Sequence, residues 1–167
     1  DGIVDFVFIY YAGYNEAESS NEDEIWPHYS NLDNWVSLTL DGKKISAYAC
    51  SSELSFSSKD RAGIGTFCHE FGHVLGLPDM YCTDYESNHK TLGSWDIMDH
   101  GAYNNDGRTP PAYSAYERFF LGWLTPIVLN KPAIVTMSNI NDTRQACIIT
   151  STGEHNLIGN DPIPNEF

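Results

Sequence analysis

Apolar and polar positions change rhythm several times along the chain, and each change marks an element. The run DFVFIYYAGY, residues 5–14, is nearly continuous in β-branched and aromatic side chains, which predicts a buried strand. NEAESSNEDEIWPHY, residues 15–29, has no period and reads as a surface loop. WVSLTLDGKKISAYAC, residues 35–50, alternates on both sides of Asp41-Gly42 and predicts a hairpin whose second strand covers 45–50. From Ser58, read as a capping residue, the rhythm becomes helical. Ile64, Phe67, Cys68, Phe71 and Leu75 recur at three and four, and Gly76 supplies the stop. A long polar and aromatic connection over 78–109 leads to Pro110-Pro111. A second helical stripe follows, formed by Tyr116, Phe119, Phe120 and Trp123 and opened by proline. The segments PIVLNKPAIVTM, 126–137, and QACIITST, 145–152, read as short strands. Strands and helices in this order describe an α+β chain.

Composition narrows what such a chain can do. At 167 residues and 41% hydrophobic content it is long enough for one compact domain with a real core. Nine basic against twenty-three acidic side chains give a net charge of −14, which repels phosphate backbones and anionic lipid surfaces and argues against a nucleic-acid partner. No apolar run is long enough for membrane insertion. Four cysteines, Cys50, Cys68, Cys82 and Cys147, do not force a disulfide scaffold. Cys68 lies on the core stripe and reads as a buried apolar residue, with a Cys68 to Cys82 bridge as the alternative. The chain opens almost directly into a strand and stops at NDPIPNEF without a closing element, as expected of a fragment incomplete at both ends.

The chemistry gathers in CHEFGHVLGLPDMYC, residues 68–82. Side chains four apart on a helix differ by about 40° in direction, so His69 and His73 share one side and make a preformed clamp for zinc. Phe71 is turned about 200° from His69, which leaves the apolar stripe for a core. Glu70 falls at the edge between the two faces, placed to take a proton from water at the metal. A catalytic zinc usually has three protein ligands. Gly76 can adopt the positive φ that reverses the chain and Pro78 stiffens the return, which brings Asp79 back beside His73 as a candidate third ligand. Asp84, Glu86, Asp96, Asp99, His100 and Glu117 are each able to supply that ligand in some fold.

GIGTFCHEFGHVLGLPDMY followed by GSWDIMDHGAYN resembles the immune inhibitor A family of secreted bacterial zinc metalloproteases. AGYNEAE, IWPHY, YACSSEL and FFLGW resemble it too, and the likeness covers about residues 1–129. The resemblance implies a zincin, metzincin-like catalytic domain: a mixed sheet packed on an active-site helix, then a helical and a β-rich C-terminal part. On this chain it implies zinc ligands His69, His73 and Asp79, general base Glu70, and endopeptidase action on proteins or peptides outside the cell. It also implies a methionine turn beneath the metal, with Met98 as the matching residue. Related clans place a tyrosine two residues after that methionine; here the position is His100, with Tyr103 further on, and these two become the cleft or transition-state candidates. The chain is then a single catalytic-domain fragment, acting as a monomer. Residues 1–77 carry the sheet and active-site helix, and 78–167 the lower subdomain and the start of a β region.

Other features carry less. The acidic segment 15–24, represented by Glu16, and the turn at Asp106-Gly107 offer hard oxygens to calcium, the second metal such enzymes use. Trp26, His28, Trp35 and Trp95 read as core or cleft wall. The strand over 45–50 precedes the active-site helix, and the resemblance implies that it is the upper rim of a substrate cleft, an inner sheet position being the other reading. Two other functional classes fit a zinc motif: a non-proteolytic zinc-bearing binding module, and an aminopeptidase-type zinc hydrolase with a downstream glutamate ligand.

Overall fold

The computed structural model describes residues 2–84 and 90–149. The chain forms two compact units, one ending at Pro111 and the other beginning at Ala112. In the first, the elements in order are β1 (Ile3–Val4), β2 (Val7–Tyr11), α1 (Glu16–Ser19), β3 (His28–Asn31), β4 (Leu38–Leu40), β5 (Lys43–Ile45), β6 (Ala47–Ser52) and α2 (Gly65–Val74).

Two three-stranded sheets result. One has the order β1-β5-β4, with β1 parallel to β5 and β4 antiparallel to it. The β4–β5 hairpin turns through Asp41 at φ 50 and Gly42 at φ 73, the pair of positive angles that two-residue hairpins favour. The other has the order β2-β6-β3, with β2 parallel and β3 antiparallel to β6. The alternation expected to run through 45–50 as one strand is therefore divided at Ser46, and its two pieces join different sheets. β6 is an inner strand, with Ala49, Cys50, Ser51 and Ser52 all buried. The outer positions belong to β2 and β3, and the far edge of β3 pairs with no strand among the described residues.

Several local expectations change. The run at 5–14 does contain a strand, yet its residues are half-buried or exposed. The supposed loop at 15–29 contains α1 and the start of β3. Asn15 explains α1: its Oδ1 accepts from Glu18 N at 2.9 Å as an N-cap, and its Nδ2 donates to Ser52 Oγ on β6 at 2.9 Å. Four residues of polar helix have no stripe to betray them; one buried cap holds them in place. Trp26, Trp35 and Trp95 are exposed and not core.

α2 begins at Gly65, after Ile64 in the cap position with no side-chain cap, so Ser58 does not start it and Ile64 is exposed. Its aromatic face meets β2 through a row of rings: Phe8 to Phe67 at 4.6 Å, Phe6 to Phe71 at 5.7 Å, and Phe67 stacked on Phe71 at 5.9 Å. Its other face packs on β6 and β3 and on the 3-10 turn His100–Tyr103. Gly65 permits that last contact, since a Cβ there would lie 1.8 Å from the Ala102 carbonyl oxygen.

The second unit contains α3 (Ala115–Phe120), β7 (Ile127–Leu129), α4 (Ile140–Thr143) and β8 (Cys147–Ile149). α3 starts at a capping box between Ser114 and Glu117, not at the prolines. β7 and β8 pair in parallel, and Phe119, Leu124, Ala146 and Ile148 form the core beside them. Among the described residues no helix is long and apolar enough to cross a membrane.

Candidate metal centre

α2 carries His69, Glu70 and His73, and its C-terminus determines what meets them. Gly76, at φ +98, ends the helix: its N–H donates to His73 O at 3.0 Å and the Leu77 N–H donates to Gly72 O at 3.0 Å, the paired bonds of a Schellman stop. The reversal points the Leu77 carbonyl back at His73, whose Nδ1 lies 2.9 Å from it. His69 Nδ1 lies 2.9 Å from the Ile97 carbonyl. A carbonyl only accepts, so both Nδ1 atoms are the protonated ones and both Nε2 atoms of the neutral rings present lone pairs.

Pro78 then delivers Asp79, whose Oδ1 stands 3.2 Å from each Nε2. The three candidate ligand atoms lie within 4.8 Å of one another, the one such grouping among the described residues. Asp79 Oδ1 is buried and, while both rings are neutral, accepts no hydrogen bond. Two imidazole lone pairs and a carboxylate oxygen facing each other without an intervening hydrogen repel, and a cation resolves the repulsion. The donor set, two nitrogens and one oxygen, fits a divalent zinc ion with a position left open.

Charge follows the same geometry. Burial pushes Asp79 upward, but the hydrogen bonds that His69 and His73 donate to it once their Nε2 atoms are protonated, together with Tyr81, outweigh burial and hold the carboxyl well below the usual range. Burial disfavours charge on His69 and His73, yet their contacts with Asp79 and with the backbone carbonyls win, and both titrate above an ordinary histidine. Glu70 is raised, since burial exceeds the pull of the nearby imidazoles.

Met98 is fully buried in the turn that supports this cluster. Its carbonyl accepts from Met80 N at 2.8 Å, and Asp96 Oδ1 accepts from Met98 N at 2.8 Å. Residues 97–98 thus brace both His69 and the return segment that carries Asp79. The other acids weighed as third ligand are engaged elsewhere or lie apart. Asp96 holds the turn, and Asp99 accepts from Gly93 N and His100 N. Glu117 sits in its capping box in the second unit, and Glu86 lies outside the described residues. His100 bonds Asp99 through Nδ1 and leaves 71% of its side chain exposed, apart from the cluster. Cys68 and Cys82 stay thiols; Cys68 is only half-buried.

Tyr103 and Asp106 come together in the wall of a separate cleft, where they meet Glu18. Glu16 is not among its lining residues, and Asp106 faces Arg108 at 3.3 Å, so neither calcium candidate joins a set of three metal-binding side chains among the described residues. Tyr81 has no role legible in the sequence, and Glu18 stands out there only as part of the acidic segment 15–24. Tyr81 follows Asp79 by two residues and acts on it once the chain has reversed at Gly76, and Glu18 matters through a loop about forty residues away.

A buried acid beside three side chains able to hold a metal, on a helix backed by a mixed sheet, is an arrangement suited to a metallopeptidase catalytic domain. The profile of the family described as Immune inhibitor A peptidase M6, catalytic domain, matches residues 1–123, and the chain belongs to that family. It is 27% identical over 175 residues to the pre-pro-metalloprotease PrtV of Vibrio cholerae serotype O1, covering 91% of this chain and 19% of the relative. It is 28% identical over 133 residues to immune inhibitor A of Bacillus thuringiensis subsp. alesti, covering 72% of this chain and 19% of that protein. The chain thus spans about a fifth of the length of the curated relatives it matches.

Proposed function

We propose that this chain is the catalytic domain of a secreted zinc endopeptidase that hydrolyses internal peptide bonds of proteins. The observation that carries the reading is the convergence of His69 Nε2, His73 Nε2 and Asp79 Oδ1, three candidate ligand atoms within 4.8 Å of one another. These three residues would hold the ion. When bound, zinc supplies Lewis acidity that polarises a carbonyl and makes water a better nucleophile at neutral pH.

Glu70 does the proton work. Its raised carboxyl, buried beside the ligands, takes a proton from the attacking water and returns it to the leaving amine. Met98, fully buried in the turn next to Ile97, would serve as an apolar floor for the ligands and keep water from their far side. The Ile97 and Leu77 carbonyls hold the two rings in the ligating tautomer. An extended substrate would pair with the outer edge of β3, which packs beside α2 and brings Tyr29 to 6.4 Å from the His73 ring.

Two substitutions test this. Glu70→Ala is expected to lower kcat by roughly a hundred- to ten-thousandfold while the protein keeps its zinc. Asp79→Ala is expected to lose the metal, measured as zinc per chain after gel filtration. An active Glu70→Ala protein, or an Asp79→Ala protein with full zinc content, ends the assignment.

A further inference from the structure

Beside α2 lies a cleft of about 220 Å3, lined by residues from four parts of the first unit, among them Glu18, Phe56, Thr66, Tyr103 and Asp106. Its walls are joined main chain to main chain. Gly65 N donates to Gly107 O at 2.9 Å, and a Cβ on Gly63 would lie 2.1 Å from the Gly107 carbonyl carbon. Thr66 stands four residues before Glu70 on the same side of the helix, so the cleft begins about one turn, roughly 5.4 Å, from the proposed base.

The lining has a definite chemistry. Glu18 is pinned by neutral donors: Asn15 Nδ2 at 3.1 Å on one oxygen, and Ser55 Oγ at 3.0 Å, Phe56 N at 2.8 Å and Ser57 N at 3.4 Å on the other. These fix the carboxylate without cancelling its charge. Asp106 meets Arg108 at 3.3 Å, but that guanidinium is shared with Asp60 at 3.5 Å and the Arg61 carbonyl at 3.1 Å. Lys59 lies 3.2 Å above the Phe56 ring centroid. Phe56 and Tyr103 add ring surface to the same lining. A long aliphatic stem ending in a cation matches such a lining at both ends.

We propose that this cleft is a specificity subsite for a lysine or arginine side chain next to the scissile bond, read by Glu18 and Asp106. The inference rests on the peptidase reading above. It is tested with peptide pairs that carry lysine or norleucine, the same stem without the charge, at each position flanking the cleaved bond. Binding is measured by fluorescence anisotropy on zinc-loaded, full-length Glu70→Ala protein, and cleavage on the parent enzyme. The lysine peptide is expected to be favoured roughly tenfold in both. Asp106→Asn, which suits the residue's φ of 53, and Glu18→Gln are each expected to shrink that ratio several-fold. The ratio cancels any general loss of folding or chemistry. Equal treatment of lysine and norleucine, or a ratio that neither variant moves, overturns the subsite. A lysine preference in binding without cleavage of any peptide would uphold the subsite and sink the peptidase reading.

Discussion

Asp79 and the two imidazoles it faces tie the protonation of the site to its metal occupancy. Both histidines titrate above the ordinary value of about 6.5, so protons compete with a metal from above that pH. Asp79 stays anionic through the same range. Zinc affinity, followed by competition with a chromophoric chelator, is expected to weaken steadily as pH falls from 8 to 6. An affinity that is flat over that interval would contradict histidine ligation. The metal-free protein should show the opposite slope in stability. A raised histidine stabilises the fold below its unfolded value, and that contribution is lost as pH rises through the folded value. Denaturant midpoints of chelated protein should therefore decline on going from pH 6 to 8, where those of loaded protein rise.

At the scale of elements, the stop of α2 has two duties: it ends the helix, and it aims the Leu77 carbonyl at His73. Gly76→Ala forces a left-handed angle on a Cβ and should cost about 1 kcal/mol in unfolding. It should weaken zinc binding as well, because His73 loses a fixed ring orientation. A variant with reduced stability but parent-like zinc affinity would separate the two duties. This helix was legible in the sequence because Phe67, Phe71 and the histidines obey one period and Gly76 is punctuation. The return of Asp79 followed from the same glycine. β3 and α1 were not legible: each is four residues long, mostly polar, and held by partners far off in sequence, Asn15 by Ser52 and His28 by Tyr48. The division at Ser46 was hidden for another reason. Alternation continues straight through it, and only the pairing of 43–45 with β1 and of 47–52 with β2 reveals two strands. That division is why the strand expected at the cleft rim is an inner one.

Over the whole molecule, the proposed metal would join segments that are distant along the chain. α2, the return at Asp79 and the turn at residues 97–98 meet through few hydrogen bonds, and an ion bound by the folded state alone stabilises by about 2.7 kcal/mol at a hundredfold excess over Kd. Hydrogen exchange on the loaded and chelated protein should place this effect. Amides of 68–80 and 96–101 are expected to lose protection when zinc is withdrawn, and those around Ala146 and Ile148, in the other unit, to keep theirs. Uniform loss across both units would mean that the metal acts on the chain as a whole.

The contacts of Gly63 and Gly65 with the backbone at 102–107 bear on how such an enzyme can diversify. Contact between main chains carries no side-chain identity, so the distance from the cleft to Glu70 is set whatever occupies position 103 and whichever residue that accepts a positive φ occupies position 106. Selectivity can then be rewritten at those positions, one residue at a time, without retuning the chemistry one turn away.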